Sequence, residues 1–179
     1  MPFDKKQIEA HIREVKNFPK DGVAFKDITP LLANAALFEL CIEEMAWQID
    51  MVARAKVDYI VGIKARGFII GAALAQKMKT GFVPIRKKGK LPYDTISIEY
   101  SLEYGHAAIE IHKDALKTND SVVIVDDLLA SGGTTIAACN LIENLGASIA
   151  ALAYLVELEG LGARKVIKSK IPIISLIKY

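Results

Sequence analysis

The chain is poor in the residues that mark several specialised classes of protein. Its 179 residues include only two cysteines, one tryptophan and three histidines. Cys41 and Cys139 lie far apart in apolar, helix-like stretches, which indicates two buried thiols in a reducing compartment rather than a disulfide framework. His11, His106 and His112 lack the spacing of metal ligands. We therefore expect a cytoplasmic protein without a metal-binding cage of its own.

Long hydrophobic runs and a large charge of one sign are also missing. The apolar stretches are far shorter than the roughly 18 residues that a membrane-spanning helix needs. The charged, amphipathic N-terminus lacks the apolar core of a secretory signal. The net charge is only +2, which by itself does not indicate nucleic-acid binding. We expect a single globular domain, 1–179, with neither membrane nor nucleic acid as a partner.

The N-terminal part of the chain is predicted to contain two helices separated by a loop. Ile8, Ile12 and Val15 recur at helical spacing, which predicts a helix over residues 4–16. A loop rich in proline and glycine follows, and a long helix is predicted to begin at Asn34. Its inner face is expected to carry Leu37, Leu40, Cys41, Met45, Gln48 and Val52.

The rest of the chain alternates apolar, strand-like segments with helix-like segments. The predicted strands are residues 57–63, 81–85, 121–127, 147–158 and 171–177, and the predicted turn–helix segments are 65–78 and 132–146. Strands without polar faces, alternating with helices, indicate an α/β fold in which a mainly parallel open sheet is flanked by helices.

Residues 87–116 interrupt this alternation. The segments 96–100 and 107–112 alternate apolar and polar side chains and flank the turn sequence SLEYG, which predicts an antiparallel hairpin. In open α/β sheets, ligands bind beyond the carboxyl ends of the strands. A hairpin inserted at that edge is well placed to act as a lid over a ligand.

The stretch VVIVDDLLASGGTT, residues 122–135, carries the strongest functional signal. An apolar strand leads to Asp126 and Asp127, and a loop of small and hydroxyl residues then opens a helix. A helix N-terminus with glycines offers free backbone N–H groups to a phosphate. Carboxylates beside it accept hydrogen bonds from sugar hydroxyls, so the stretch is suited to a ribose 5-phosphate.

Other phosphate-binding loops fit this stretch poorly. No lysine follows Gly133, as a Walker-type loop requires, and the acidic residues precede the glycines instead of following them as in a dinucleotide fingerprint. A helix-capping turn with two solvated aspartates is the remaining alternative.

The same stretch closely resembles the phosphoribosyl-pyrophosphate motif of type I phosphoribosyltransferases. The resemblance implies that family's fold, with Asp126 and Asp127 on the ribose hydroxyls. It also implies a 5-phosphate site formed by Ala130, Ser131, Gly132, Gly133 and Thr134.

Nearly the whole chain resembles the adenine branch of this family. The segments that carry the likeness are FPKDGVAFKDITPLL, GFVPIRKKGKLP, YSLEYG and EIHKDAL. The resemblance implies an N-terminal base-binding segment, 1–34, in which Phe25 stacks on adenine. The backbone of Ala24 and Lys26 would read the exocyclic amine and its neighbouring ring nitrogen. The alternative for Phe25 is packing in the core.

Basic residues would hold the pyrophosphate. By resemblance, Arg86, Lys87 and Lys90 in RKKGK form a pyrophosphate-binding loop, and Arg66 in ARGF contacts the same group. In the family such a basic residue reaches the neighbouring subunit's site, which implies a homodimer. The alternatives are a solvated basic face or nucleic-acid patch for RKKGK, and an exposed arginine for Arg66.

The hairpin tip resembles the family's catalytic lid. Glu103 would hold or transfer a proton at the adenine ring, and Tyr104 would help to close the lid. The alternative for Glu103 is a solvated surface glutamate. One residue departs from the adenine pattern, because Lys64 stands where that branch usually has an acidic residue. Such a lysine either tightens pyrophosphate binding or weakens the handling of magnesium.

The implied reaction is transfer of the 5-phosphoribosyl group from phosphoribosyl pyrophosphate to adenine, giving AMP and pyrophosphate in purine salvage. Magnesium would assist, bound mainly through substrate and water. Two alternatives remain, a transferase for a 6-oxopurine and an inactive regulator that senses phosphoribosyl pyrophosphate.

Overall fold

The computed structural model describes residues 3–53, 55–102, 105–167 and 170–179, which contain nine strands, six α-helices and one short 3-10 helix at Glu159–Leu161. The strands in chain order are β1 (Arg13–Lys16), β2 (Ala24–Asp27), β3 (Tyr59–Ile63), β4 (Gly81–Lys87), β5 (Thr95–Leu102), β6 (Gly105–His112), β7 (Ser121–Leu129), β8 (Ser148–Glu157) and β9 (Ile173–Lys178). The helices are α1 (Lys5–Glu9), α2 (Thr29–Leu32), α3 (Ala35–Val52), α4 (Gly67–Met78), α5 (Gly133–Asn144) and α6 (Ala163–Val166).

A seven-stranded sheet forms the centre of the molecule, in the order β5-β6-β4-β3-β7-β8-β9. The five strands from β4 to β9 in this order run parallel, as predicted from their uninterrupted apolar sequences. The carboxyl ends of β3, β4 and β7 therefore meet at one edge of the sheet. The residues that follow these three strands are brought together there.

Both faces of the sheet are covered, which explains why the strands have no polar face. In β7, Val123 and Val125 point into a core formed with α3 and α4. Val122 and Ile124 point into a second core on the other face, formed with α5. This alternation follows from the two-residue period of a strand.

The helix predicted from Asn34 is confirmed as α3. The Asn34 side chain caps it by accepting a hydrogen bond from the Leu37 N–H at 3.2 Å. Four of the six predicted inner-face residues are buried, namely Leu37, Leu40, Cys41 and Met45. Cys41 and Cys139 are both buried free thiols, as expected.

The helix predicted over residues 4–16 is wrong in its second half. Only α1 is helical, and the chain then forms β1, which pairs antiparallel with β2. Ile8 and Ile12 are still buried. The apolar spacing therefore marked residues that pack in the core, but these lie on a short helix and on the turn that follows it. The tertiary pairing of β1 with β2, which brings Lys26 Nζ within 2.7 Å of Glu14 Oε2, overrides the local helical pattern.

The predicted hairpin is confirmed as β5 and β6, which pair antiparallel along their length. It also extends the main sheet, because Arg86 and Lys87 at the end of β4 pair with Glu110 and Ile109 of β6. The lid residues Glu103 and Tyr104 lie outside the described residues. Within the described ranges, no helix is both long and apolar enough to cross a membrane.

The close packing of α4 on the sheet gives a test of the fold. A Cβ atom added at Gly71 would lie 2.8 Å from Cε2 of Phe82. We expect Gly71→Ala to lower the free energy of unfolding by about 1–3 kcal/mol, although alanine favours a helix by about 1 kcal/mol. Urea unfolding of the purified variant measures this change.

Gly160→Ala is the matched control, since a Cβ atom there would meet nothing within 4 Å. Equal stability of the two variants would contradict the packing described here.

Candidate active site

The loop between β7 and α5 forms a small cavity at the carboxyl edge of the sheet. The cavity has a volume of about 80 Å³ and is lined by Asp126, Leu128, Ala130, Ser131, Gly132, Gly133, Thr134 and Thr135. All five residues predicted to hold a phosphate line it. The helix α5 begins at Gly133, so its free N–H groups face this cavity.

Gly132 is required by the backbone of this loop. Its φ angle is +88°, which disfavours any side chain, and a Cβ atom there would lie 3.0 Å from Cγ2 of Val166. The helix α6 therefore packs directly against the loop. Arg164 of α6 is held by Glu157 of β8, with distances of 2.7 Å and 2.8 Å to its two carboxylate oxygens.

Two tyrosines support the loop, and sequence reasoning missed both. The Thr134 hydroxyl donates to the hydroxyl of Tyr100, on the hairpin strand β5, at 3.2 Å. The Thr135 hydroxyl lies 2.8 Å from that of Tyr154, which is fully buried on β8. A tyrosine within the aliphatic strand ASIAALAYLVEL was the only sequence signal for the second contact.

The two adjacent aspartates lie within the last part of β7, not beyond its end. Asp127 is only 5% exposed, which excludes a turn with two solvated aspartates. The Asp127 N–H donates to Oδ1 of Asp126 at 2.9 Å. The start of α4 lies close by, because a Cβ atom at Gly67 would meet Asp126 Oδ1 at 2.8 Å.

Burial governs the acid–base properties of this pair. It raises the pKa of Asp126 well above its ordinary value, and the neighbouring charge of Asp127 raises it further. Burial also raises the pKa of Asp127, while the Arg66 guanidinium opposes that shift. Arg66 forms an ion pair with Asp127 but not with Asp126 among the described residues, which suits the pair to bind hydroxyl groups or a cation.

Arg66 connects the acidic pair to the N-terminal segment. Its Nε lies 2.8 Å from Oδ2 of Asp127, and its guanidinium carbon lies 4.8 Å from the ring centroid of Phe25. The structure thus places Arg66 between the predicted ribose and base residues, whereas sequence analysis assigned it to pyrophosphate alone. Its ion pair also means that Arg66 is not simply an exposed arginine.

The predicted base-binding residues lie on β2. Phe25 is half-buried and is not part of either core cluster. Its ring packs edge-on against Phe18, with 5.2 Å between centroids. The Lys26 ammonium is occupied by Glu14 and lies 3.8 Å from the ring centroid of Tyr179. Ala24 is exposed at the start of the strand.

A second cavity, of about 390 Å³, holds the predicted pyrophosphate residues. It is lined by Lys64, Ala65, Phe68, Arg86, Lys87 and Lys90. The end of β3 and the end of β4 thus contribute four basic side chains to one space. Burial and the neighbouring charge of Lys87 lower the pKa of Lys64, with Asp126 acting in the opposite direction. Lys64, which stands where the adenine branch usually has an acidic residue, therefore adds a basic side chain to this cavity on the side of Asp126.

The comparisons with known proteins agree with this arrangement. The family model described as a phosphoribosyl transferase domain matches residues 29–174. An adenine phosphoribosyltransferase of Brachyspira hyodysenteriae is 47% identical over 173 residues, covering 97% of this chain and 99% of that protein.

Solved structures give the same result. The crystal structure of an adenine phosphoribosyltransferase from Thermoanaerobacter pseudethanolicus has a TM-score of 0.93 and 48% identity, covering 98% of this chain and 100% of that one. The Saccharomyces cerevisiae enzyme, complexed with adenine and an imino-altritol bisphosphate, has a TM-score of 0.88 and 36% identity, covering 96% and 97% of the two chains.

The buried hydroxyl pair beneath the loop gives a stability test. Tyr154→Phe leaves the buried Thr135 hydroxyl without its partner, which should lower the free energy of unfolding by about 1–3 kcal/mol. The double variant Tyr154→Phe/Thr135→Val removes both groups and should recover part of the loss. Chemical denaturation of the single and double variants measures the coupling, with Tyr93→Phe at an exposed site as the control. Strictly additive losses would mean that the two hydroxyls do not interact.

The raised pKa of Asp126 predicts that this residue costs stability at neutral pH. The unfolded chain releases the proton at the ordinary aspartate pKa, whereas the folded chain releases it only at higher pH, so ionisation favours unfolding. Asp126→Asn should therefore raise the melting temperature at pH 8. The gain should shrink as the pH falls towards the ordinary aspartate pKa of about 3.9.

Melting curves recorded from about pH 4 to about pH 8 test this sign. Asp50→Asn, at an exposed position of α3, is the control and should change little. An Asp126→Asn variant that melts below the parent protein at pH 8 would contradict the assignment.

Proposed function

Since the chain belongs to the phosphoribosyltransferase family, we propose that it transfers the 5-phosphoribosyl group of phosphoribosyl pyrophosphate to adenine, giving AMP and pyrophosphate. The observation that carries this proposal is the position of Arg66, which contacts both Phe25 and Asp127. Arg66 thereby lies between the ring that would bind the base and the carboxylate that would bind the sugar. A nucleotide, whose base is attached to its sugar, requires these two groups to be close together. The relatives named above support adenine as the base.

The 5-phosphate lies in the small cavity of the β7–α5 loop. The backbone N–H groups from Ala130 to Thr134 and the partial positive charge at the start of α5 favour an anion there. The Thr134 hydroxyl donates to Tyr100, so Thr134 would bind the phosphate through its backbone N–H group. Thr135 supports the loop but does not bind the phosphate through its hydroxyl, because that hydroxyl is paired with Tyr154.

The ribose hydroxyls bind Asp126 and Asp127. Hydroxyl donors add hydrogen bonds to two adjacent carboxylates that are largely removed from water. The same carboxylates favour positive charge on the ribose as the bond to pyrophosphate breaks. Their negative field thus acts at the step where an oxocarbenium-like state develops.

The acidic pair also fits a requirement for magnesium. Hard cations prefer oxygen ligands, and the two carboxylates, when both are ionised, would carry one more charge than Arg66 balances. They would hold the ion mainly through ribose hydroxyls and water. When bound, magnesium neutralises the pyrophosphate and orients it for departure.

The pyrophosphate occupies the basic cavity, where Lys87, Lys90 and Arg86 stabilise the negative charge of the leaving group. Arg66 approaches from the side of the ribose. Lys64 lines the same cavity. Of the two effects considered for this lysine, its position favours tighter binding of pyrophosphate.

Adenine stacks on Phe25, and the backbone of Ala24 and Lys26 reads its polar edge. The Lys26 side chain is occupied by its ion pair with Glu14, so recognition of the base is assigned to the backbone. Glu103 holds or transfers the proton at the adenine ring and Tyr104 closes the lid. The homodimer, the cytoplasmic location and the single domain 1–179 belong to the same proposal.

An absorbance assay with phosphoribosyl pyrophosphate and magnesium tests the proposed reaction. Adenine, hypoxanthine, guanine and orotate are supplied one at a time, and AMP formation from adenine alone is expected. Asp127→Asn should lower kcat/KM at least about 100-fold, because it removes a charge that binds the ribose and also stabilises the positive charge that develops as the bond breaks. Asp50→Asn is the control.

Other outcomes have definite meanings. Turnover of hypoxanthine or guanine instead of adenine would show that Phe25 and its neighbours were assigned to the wrong base. Binding of phosphoribosyl pyrophosphate without turnover of any base would make the chain a regulator.

A further inference from the structure

We propose that Glu110 is a positioning residue for the pyrophosphate site. Its buried carboxylate holds the backbone of residues 87–91, here called the basic turn, so that the side chains of Lys87 and Lys90 face the basic cavity. This inference rests on the proposed function, which places pyrophosphate in that cavity. Glu110 itself lies behind the turn and does not line the cavity.

The Glu110 side chain forms hydrogen bonds with the basic turn and with the strand that follows it, β5. Glu110 is only 3% exposed. Its Oε1 accepts hydrogen bonds from the N–H groups of Lys90 at 2.8 Å and Leu91 at 2.9 Å. Its Oε2 accepts one from the Thr95 hydroxyl at 3.3 Å. A single side chain thus fixes both the end of the turn and the start of β5.

The basic turn has few other fixed points. The Lys88 N–H donates to the carbonyl of Ala108 on β6 at 3.1 Å, and the Lys90 N–H also approaches the Lys87 carbonyl at 3.2 Å. Gly89 has a φ angle of +79° and no atom within 4 Å of a Cβ position. The tip of the turn is therefore open to solvent, and Glu110 is its main inner support.

The charge of Glu110 is balanced by backbone N–H groups and does not engage the ammonium groups of Lys87 and Lys90. Burial alone would raise the pKa of Glu110, but the N–H groups of Gly89, Leu91 and Lys90 lower it below its ordinary value. The carboxylate is therefore charged, and backbone dipoles balance it instead of an ammonium group. A nearby acid that paired with Lys87 or Lys90 would compete with pyrophosphate, whereas Glu110 organises the turn without doing so.

Arg86 completes the turn from the other side. One of its guanidinium nitrogens donates to the Lys90 carbonyl at 2.7 Å, and Arg86 pairs with Glu110 across β4 and β6. Glu110 and Arg86 thus hold the N–H and the carbonyl of the same residue. Loss of Glu110 should loosen the position of Lys90 first.

The test compares Glu110→Ala, Glu110→Gln and Glu110→Asp in both directions of the reaction. We expect Glu110→Ala to raise the KM for pyrophosphate, and that for phosphoribosyl pyrophosphate, by about tenfold or more. The KM for adenine should stay within about twofold, because β2 belongs to a separate two-stranded sheet with β1. Glu110→Gln retains an acceptor oxygen and should restore most of the affinity.

Glu110→Asp serves if the alanine variant does not fold, since it keeps a buried carboxylate but shortens its reach to the turn. It should weaken pyrophosphate selectively and by less than alanine does. Glu99→Gln is the matched control, because Glu99 also contacts the turn, through an exposed ion pair with Lys88 at 3.3 Å. It should change each KM by less than about twofold.

Calorimetry with magnesium pyrophosphate alone separates this inference from the proposed function. Weaker binding by the folded Glu110 variants supports the inference even if the parent protein turns over no base. Unchanged pyrophosphate binding, or equal increases in the KM for adenine and for pyrophosphate, would overturn it.

Discussion

The ion pair between Arg66 and Asp127 is the contact on which the candidate site depends. It exists because β3 and β7 are neighbours in the parallel sheet, so the turn after β3 lies beside the end of β7. Removing either charge from such a half-buried pair leaves the other without its partner. The guanidinium also lies against Phe25, so the same residue relates the N-terminal ribbon of β1 and β2 to the sheet.

Two adjacent carboxylates, Asp127 buried and Asp126 half-buried, are an unfavourable arrangement for a folded protein. Here one arginine and the approach of two helix N-termini, at Gly67 and Gly133, reduce the repulsion without cancelling it. The remaining negative field is useful to an enzyme that must stabilise positive charge on a ribose. Residues that serve catalysis in this way often lower the stability of the folded state.

The sequence predicted those features whose determinants are local. The parallel strands were recognisable from uninterrupted apolar runs, and the loop after β7 from small residues between a strand and a helix. The helix over residues 4–16 failed because the partner of β1 is a strand further along the chain, which periodicity does not reveal. The family resemblance supplied the residue roles that periodicity does not, and the family and its reaction are supported by the comparisons.

Other parts of the site were beyond sequence reasoning because their partners are distant in the chain. Tyr154 is important only because β8 places its hydroxyl beneath Thr135. Tyr100 reaches Thr134 only because the hairpin lies over the start of α5. In the sequence, Glu110 is one of the polar residues of a strand that alternates apolar and polar side chains. Only the fold shows that it accepts a hydrogen bond from the turn after β4.

A crystal structure of the chain with AMP bound would test the central claim most directly. The account predicts the phosphate in the loop from Ala130 to Thr134, the ribose hydroxyls on Asp126 and Asp127, and the adenine ring on Phe25. The basic cavity lined by Lys64 and Lys87 should then be left for pyrophosphate. An AMP phosphate in the basic cavity, or an adenine ring away from Phe25, would contradict it.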